Sequence, residues 1–242
     1  GNYLFDNLLP GDYFVEIDAP DSYPVSSTTT NTNDDQTDND DNGIQQDTDG
    51  DGVTDGPTRS PLITIAPGTE PSGADESGKG GAQDDAEDKN GNMTVDFGLV
   101  PLSSVGSTIF VDLDNDGIQG PNDPTLDGKS ITVRLLDEDK NVLETQVITD
   151  GIYFFDNLLP GNYYVEFDAP DSFPVSSTTT NTADDQTDGD DNGIQMDTDG
   201  DGQTDGPIRS PLFNLTPTTE PAGADEDGEG GAQDDADDKN GD

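Results

Sequence analysis

The amino-acid sequence predicts an all-β protein in which β-sandwich modules follow one another in tandem. Apolar residues occur in short runs that alternate with polar ones, which is the period of a half-buried strand. Turn-forming residues separate these runs, and no stretch has helical periodicity. Many short strands joined by turns are typical of two packed sheets.

The chain contains a long internal repeat. Residues 1–92 align without gaps with 151–242 at a constant offset of 150, and about three positions in four are identical. Residues 93–150 occur once. This arrangement predicts an array of modules about 150 residues long, of which the sequence holds about one and a half.

A module boundary is expected near Pro101, because proline cannot donate to a central ladder and its neighbours have the character of a linker. Residues 1–100 are then the later part of one module, and 101–104 are the linker. Residues 105–242 are a second module that lacks its last strand.

Alternation places the strands of the second module in order. The predicted strands are 105–111, 131–135, 142–148, 153–155, 163–167, 175–180 and 211–215. The 163–167 segment has the clearest alternation, whereas 175–180 is a weaker strand rich in Thr and Ser. Asp137–Asn141 is the predicted turn between the second and third strands, and Met93–Leu99 closes the preceding module.

Composition excludes several kinds of function. The formal net charge is −47, with eight Lys and Arg against fifty-five Asp and Glu, so nucleic acid is not an expected partner. The chain has no Cys and no His, which removes thiol catalysis, disulfides and the commonest general base and zinc ligand. No apolar run reaches membrane-spanning length. Disorder is the alternative that such acidity raises, but the clustering of apolar residues favours folded domains with acidic loops.

The strongest motif is the acidic loop that starts at Asp112. Oxygen ligands fall at the first, third, fifth and last positions of a twelve-residue calcium loop, and Gly117 stands where that loop turns sharply. The predicted ligands are Asp112, Asp114, Asp116, the carbonyl of Ile118, and Asp123. The alternative is an Asp- and Gly-rich turn that binds nothing.

A second acidic segment offers two overlapping registers. One starts at Asp38 and ends at Asp49, and the other starts at Asp47 and ends at Asp55. A shared Asp49 would bridge two ions. The predicted ligands are Asp38, Asp40, Asn42, Ile44, Asp47, Asp49, Asp51, Val53 and Asp55. Their equivalents in the second copy are Asp188, Asp190, Asn192, Ile194, Asp197, Asp199, Asp201, Gln203 and Asp205.

Calcium, with several ions per module, is the expected cofactor, because hard oxygen ligands select calcium or magnesium over softer metals. The segments 84–88 and 234–238 lack the alternating spacing and are expected to be solvated or disordered, the alternative being that they complete a neighbouring site. Tyr3, Tyr13, Tyr153 and Tyr163 alternate with polar residues, which favours packing over a sugar-binding platform. No pair of carboxylates is marked as catalytic, so an enzyme is not expected.

Four motifs in this order resemble a known family. Val105–Gln119 resembles the start of the B-type repeats of serine-aspartate repeat surface proteins, and Gly151–Phe167 is similar to the middle of the same domain. Asp47–Asp49 and Thr94–Gly98 resemble its later acidic loop and its last strand. The middle motif is shared with many collagen-adhesin B-type and transthyretin-like domains. The resemblance implies an Ig-like, prealbumin-like β-sandwich that binds calcium and serves as a stalk in bacterial surface proteins. The inserts 73–92 and 223–242 are longer and more acidic than that family pattern.

The leading functional hypothesis is a rigid, calcium-stabilised spacer in an extracellular protein at a bacterial cell surface or in a secreted filament. Its partners would be neighbouring repeats, or other copies joined by strand exchange. The alternative is an adhesive module that recognises a host protein or polysaccharide. The near-identity of the two copies favours the spacer.

Overall fold

The computed structural model describes residues 2–20, 23–29, 40–71, 90–126, 128–178 and 189–217. The chain forms two compact units, Gly1–Pro101 and Leu102–Asp242. Within the described residues all regular elements are β-strands, and every strand pairing is antiparallel. The fold is therefore all-β, as predicted.

The first unit contains three small sheets. Its strands are β1 Gly11–Tyr13, β2 Glu16–Ile17, β3 Val25–Ser26, β4 Ile44–Gln45, β5 Thr58–Arg59, β6 Ile63–Ile65 and β7 Leu99–Val100. Strand β1 pairs with β6, β5 lies between β2 and β4, and β3 pairs with β7.

The second unit has two sheets. Its strands are β8 Ser103–Thr108, β9 Ile131–Asp137, β10 Val142–Ile148, β11 Ile152–Leu158, β12 Gly161–Phe167, β13 Ile194–Gln195, β14 Ile208–Arg209 and β15 Phe213–Leu215. The larger sheet has the order β10-β9-β12-β14-β13, and β15 also pairs with β12. Strands β8 and β11 form the other sheet.

The hydrophobic core of the second unit is built from both sheets. Ile131, Val133 and Leu135 alternate along β9 and are at most 1% exposed. They belong to one cluster with Phe155 of β11 and Val105 of β8. Full burial of such a side chain contributes about 1.5–3 kcal/mol, so this cluster is the main source of stability in the second unit.

Most predicted strands of the second unit are present, with small shifts of their bounds. Strand β10 has the predicted bounds, and a turn joins it to β9 where the Asp137–Asn141 segment was expected. Strand β8 begins at Ser103 rather than Val105, so Ser103 and Ser104 belong to the fold rather than to a linker. Both serines are buried, and Ser103 pairs with Leu158. Because small polar residues also occur in linkers, their pairing was not evident from the sequence.

Two predicted strands are shorter or absent. Strand β8 ends at Thr108, and among the remaining predicted residues, 109–111, Phe110 alone forms a bridge, to Thr125. The predicted strand 175–180 is wrong for its described residues 175–178, where no strand forms. In the first unit the equivalent Val25–Ser26 is a strand because it pairs with Leu99–Val100. A strand as short as this one depends on its partner and has little intrinsic stability.

Candidate metal centres in the acidic loops

Three acidic loops each bring three carboxylates together. In each loop, one oxygen from each of the three Asp side chains lies within 4.8 Å of the other two. Among the described residues the groups are Asp47, Asp49 and Asp51; Asp112, Asp114 and Asp116; and Asp197, Asp199 and Asp201. These are the first, third and fifth positions of three predicted calcium loops.

The three loops share one hydrogen-bond framework. The carboxylate of Asp112 accepts the Asn115 amide at 2.6 Å and the Gly117 amide at 2.8 Å. The carboxylate of Asp47 accepts the corresponding amides of Gly50 and Gly52, at 2.7 and 3.1 Å. In the third loop the distances from Asp197 to the equivalent amides are 2.7 and 3.0 Å. The first Asp of each loop therefore fixes the backbone around which the other two are arranged.

Two residues in each loop have the left-handed backbone conformation. In the first loop these are Asn115 at φ 59° and Gly117 at φ 79°. In the loop of the second copy, Gly200 and Gly202 have φ of 77° and 91°. Residues with a Cβ adopt this conformation at a cost, which asparagine tolerates better than most. The predicted role of Gly117 at the sharp turn agrees with this geometry.

Asp123 folds back onto the start of its loop. Its carboxylate accepts the Leu113 amide and the Gly120 amide, both at 2.9 Å. It lies close enough to Asp114 for its negative charge to raise the pKa of that carboxyl group. Asp123 is thus positioned on the same loop as the three clustered carboxylates.

Charge repulsion and backbone hydrogen bonds shift the pKa values of two carboxyl groups in this loop. The pKa of Asp114 is raised above its ordinary value, chiefly by the charge of Asp116. Desolvation would also raise the pKa of Asp112, but the amides of Gly117, Asn115, Asp116 and Asp114 together hold it below its ordinary value. The first ligand position is therefore stabilised as a carboxylate, while the others repel one another and would gain from a cation.

The Asp112 loop is joined to a segment far along the chain. The Asp191 amide donates to the Gly117 carbonyl at 2.8 Å, and the Gln119 amide donates to the Gly189 carbonyl at 2.7 Å. Between these two bonds, Ile118 and Asp190 form an antiparallel bridge. This contact, called the loop clamp below, connects the loop that starts at Asp112 to residues 189–191, at the start of the second copy of the acidic segment.

Other predicted ligands have different positions. Asp38 and Asp188 lie outside the described residues, as do the acidic segments 84–88 and 234–238. Ile44 and Ile194 stand in β4 and β13. Val53 and Gln203 donate their amides to Asp51 and Asp201, at 2.7 and 2.8 Å. Asp40, Asp55, Asp190 and Asp205 belong to none of the three groups found in the described residues.

Asn42 has a structural role that the sequence did not reveal. Its main-chain N–H donates to the Asp96 carbonyl at 3.0 Å, and its side-chain Oδ1 accepts a hydrogen bond from the Asp96 N–H at 2.9 Å. Its Nδ2 donates to Asp40 at 3.2 Å, and the residue is buried. Sequence reasoning also missed the loop clamp, which is formed by main-chain atoms and leaves no signal in residue type. The positive φ at Asn115 was detectable in principle, because Asn favours that conformation.

The donor set of the three loops fits a hard divalent cation. The clustered side chains supply carboxylate oxygens, and these suit calcium or magnesium rather than zinc or copper. A bound ion would neutralise the repulsion among the three carboxylates and tie them to one position.

A sandwich of two antiparallel sheets with acidic loops defines an Ig-like repeat module. Residues 103–206 match the family described as SdrD B-like domain. The resemblance to B-type repeats is thereby confirmed. The family comprises structural and adhesive surface repeats and not enzymes, in agreement with the sequence-based expectation.

Several named proteins are similar to the chain. It is 34% identical over 175 residues to serine-aspartate repeat-containing protein F of Staphylococcus epidermidis, which covers 72% of the chain and 8% of that protein. It is 38% identical over 97 residues to a fibrinogen-binding protein of the same species, covering 39% of the chain and 8% of that protein. It is 30% identical over 185 residues to Colossin-A of Dictyostelium discoideum, covering 75% of the chain and 1% of that protein. The chain thus spans a small part of each of these relatives. Within its described residues it has no helix of the length and apolarity that crossing a membrane requires.

Proposed function

We propose that the chain is a calcium-stabilised structural repeat that acts as a rigid spacer in an extracellular surface protein or filament. The observation that carries this proposal is the Asp112 loop, where three carboxylates converge on a framework of backbone amides. The recurrence of that framework at Asp47 and Asp197 supports several ions per module. Neighbouring repeats are the proposed partners.

Calcium would act through the loop clamp as well as through the loop itself. Gly117 and Gln119, which bond to Asp191 and Gly189, lie within the loop that the ion would order. An ion held by Asp112, Asp114 and Asp116 would therefore also restrain the segment at 189–191. Rigidity at this end of the module is what a spacer requires.

Melting with and without a chelator tests the proposal. An ion that binds only the folded state adds about 2.7 kcal/mol of stability when its free concentration is a hundredfold above the dissociation constant. We expect calcium to raise the melting temperature of the chain, and a chelator to reverse the rise. Asp114→Asn with Asp116→Asn should remove much of the calcium effect, whereas Glu144→Gln on exposed β10 serves as the control. An unchanged melting temperature after chelation would reject calcium stabilisation.

The spacer role has a separate test. If calcium stiffens an array of modules, the mean length in solution scattering should fall when calcium is removed. If the melting temperature depends on calcium but the mean length does not, the proposed metal sites stand and the proposed spacer role is rejected.

An adhesive function is the second candidate, favoured by the similarity to a fibrinogen-binding protein. The near-identity of the two copies argues against it, because a stalk benefits from uniform repetition. Saturable binding of fibrinogen to the chain at physiological salt would favour the adhesive role over the spacer.

A further inference from the structure

The second unit has a groove of 380 Å³ that runs past the end of β8 and the segment 173–177. Apolar side chains line much of it, among them Ile109, Val165, Phe167, Phe173, Val175 and Ile208. Val175 is 74% exposed at this groove, which is unusual for a β-branched apolar residue. Asn192 and Ser177 also face the groove.

In the first unit, the residues that correspond to this groove hold a strand of the same chain. Val25 and Ser26, the equivalents of Val175 and Ser176, pair with Val100 and Leu99. The Ser27 amide donates to the Gly98 carbonyl at 3.0 Å, and the Asn42 amide donates to the Asp96 carbonyl at the same distance. The segment Asp96–Val100 is therefore held through its main-chain groups.

Side chains of this strand also have defined places in the first unit. The ring of Phe97 lies 6.0 Å from that of Tyr3, and its edge would be 2.9 Å from a Cβ placed on Gly43. A Cβ on Gly98 would lie 2.1 Å from Ser27 Oγ, so only glycine fits there. Tyr153, Gly193 and Ser177, the equivalents of Tyr3, Gly43 and Ser27, all line the groove of the second unit.

The receiving side of the groove is already arranged in the second unit. Ser177 Oγ donates to Asp191 at 2.5 Å, as Ser27 Oγ does to Asp41. The Gly193 amide donates to Asp191 at 2.7 Å, as Gly43 does to Asp41 at 2.8 Å. Three groups have no hydrogen-bond partner within the described part of the chain. They are the main-chain N–H of Ser177, the main-chain N–H of Asn192 and the side chain of Asn192. Their counterparts in the first unit are the groups that hold Gly98 and Asp96.

We infer that this groove is a docking site for an extended strand with the sequence Met93–Val100, supplied by a second copy of that segment. The strand pairs antiparallel with Val175 and Ser176, places its Phe against Tyr153 and Gly193, and places its Gly against Ser177. Asn192 bonds both main-chain groups of the Asp that precedes the Phe. Strand addition of this kind gains its affinity from main-chain hydrogen bonds and its specificity from side-chain pockets. The inference does not depend on calcium.

A synthetic peptide tests the docking site directly. The Asn92–Val100 peptide, labelled with a fluorophore at its amino end, is titrated with the full 242-residue chain and followed by anisotropy. We expect saturable binding of one peptide per chain. The matched Gly98→Val peptide should bind at least about tenfold more weakly, which corresponds to about 1.4 kcal/mol. Equal binding of the two peptides, or no binding of either, would overturn the inference.

Variants of the chain show which surface binds the peptide. Ser177→Val should weaken binding by crowding the Gly position. Val175→Lys, at a residue that is 74% exposed, should weaken it by disturbing the paired strand. Leu143→Ser on exposed β10 is the control and should leave binding unchanged. Binding that survives both groove variants but is lost with Phe5→Ser would place the peptide on the first unit and overturn the inference.

Fusion of the strand gives an independent measurement. Asp242 aligns with Asn92, so the Met93–Val100 sequence is appended directly after Asp242. We expect the fused chain to melt at a higher temperature and to bind no free peptide, in calcium and in chelator alike. A fused chain that binds free peptide as well as the original does would contradict the docking site.

Discussion

The two units contain nearly the same sequence in different surroundings, and the difference shows what residues 103–148 contribute. Phe155 is fully buried in the second unit, whereas its equivalent Phe5 is 61% exposed in the first. Strands β8 and β9 supply Val105, Ile131, Val133 and Leu135 to the core around Phe155. The repeated segment therefore carries half of a hydrophobic core, and the segment that occurs once carries the other half.

The same contrast holds for charge. Glu166 of β12 is paired with Arg209, and Arg134 of β9 lies 3.7 Å from its other oxygen. Among the described residues, the equivalent Glu16 pairs with Arg59 alone, at 2.6 Å, and both of those side chains are 43% exposed. An added strand thus converts a surface ion pair into a partly buried network, which changes its energetic weight.

The largest expected effect is in the core. Phe155→Ala should destabilise the second unit by about 3–5 kcal/mol, because it removes a fully buried ring and leaves a cavity. Phe5→Ala in the first unit should cost less than about 1 kcal/mol, since the ring is already mostly in water. Chemical denaturation with hydrogen exchange resolved by unit measures both. Equal losses in the two units would mean that the cores are not as different as their exposures indicate.

The acidic loops proposed to bind calcium should give the next largest difference. Asp112→Asn should reduce calcium-dependent stability by up to about 2.7 kcal/mol at an ion concentration a hundredfold above the dissociation constant. Asp47→Asn should have a smaller effect, because every residue of the 47–55 loop is exposed, whereas Asp112 is partly buried. Calorimetric melting across a calcium titration compares the two variants. A larger effect at Asp47 would show that the loop clamp does not transmit stability.

Removal of the partly buried charge of Glu166 should cause a moderate loss of stability. Glu166→Gln should destabilise the second unit by about 2 kcal/mol, because two guanidinium groups lose a common carboxylate. Glu16→Gln should change stability by at most about 1 kcal/mol, as expected for an exposed pair. Urea midpoints of the two variants, read by hydrogen exchange in each unit, test the contrast. A larger loss of stability for Glu16→Gln than for Glu166→Gln would contradict the expected contrast.

The smallest difference is expected between the exposed glycines of the two copies. Gly52 and Gly202 have φ of 93° and 91° and open space around the Cβ position. Replacement of either by Ala should cost about 1 kcal/mol, because the left-handed conformation is strained for any residue with a Cβ. Calcium titration followed by hydrogen exchange in each loop measures the effect. Unequal costs would show that these loops depend on more than their local sequence.

Local patterns predicted much of this fold, and contacts distant in sequence account for what they missed. Alternation along Ile131, Val133 and Leu135 identified β9 because one face is buried, and the bounds of β10 follow from a turn at Asp137. The spacing at Asp112, Asp114 and Asp116 identified a group of carboxylates that the structure brings together. The assignment of calcium to it stays a prediction.

The errors concern pairing. Val175 has the residue type of a strand but forms none in the described segment, because strand formation at its equivalent Val25 depends on Val100. Asn42 was a predicted ligand from its place in an acidic motif, yet its side chain bonds the backbone of Asp96, 54 positions away. The loop clamp joins main-chain atoms, which all residue types share, so no sequence pattern distinguishes it.

The loop clamp has a mechanical consequence. Ile118 and Asp190 are 72 positions apart, so the chain between them, if pulled straight, would span roughly 240–260 Å. The two hydrogen bonds beside this bridge join residues 117–119 to residues 189–191, so they would resist a pull that separates these two segments. A pull that broke these hydrogen bonds would let the module lengthen before any covalent bond came under tension. The loop clamp would therefore contribute to the force at which a stretched module begins to lengthen.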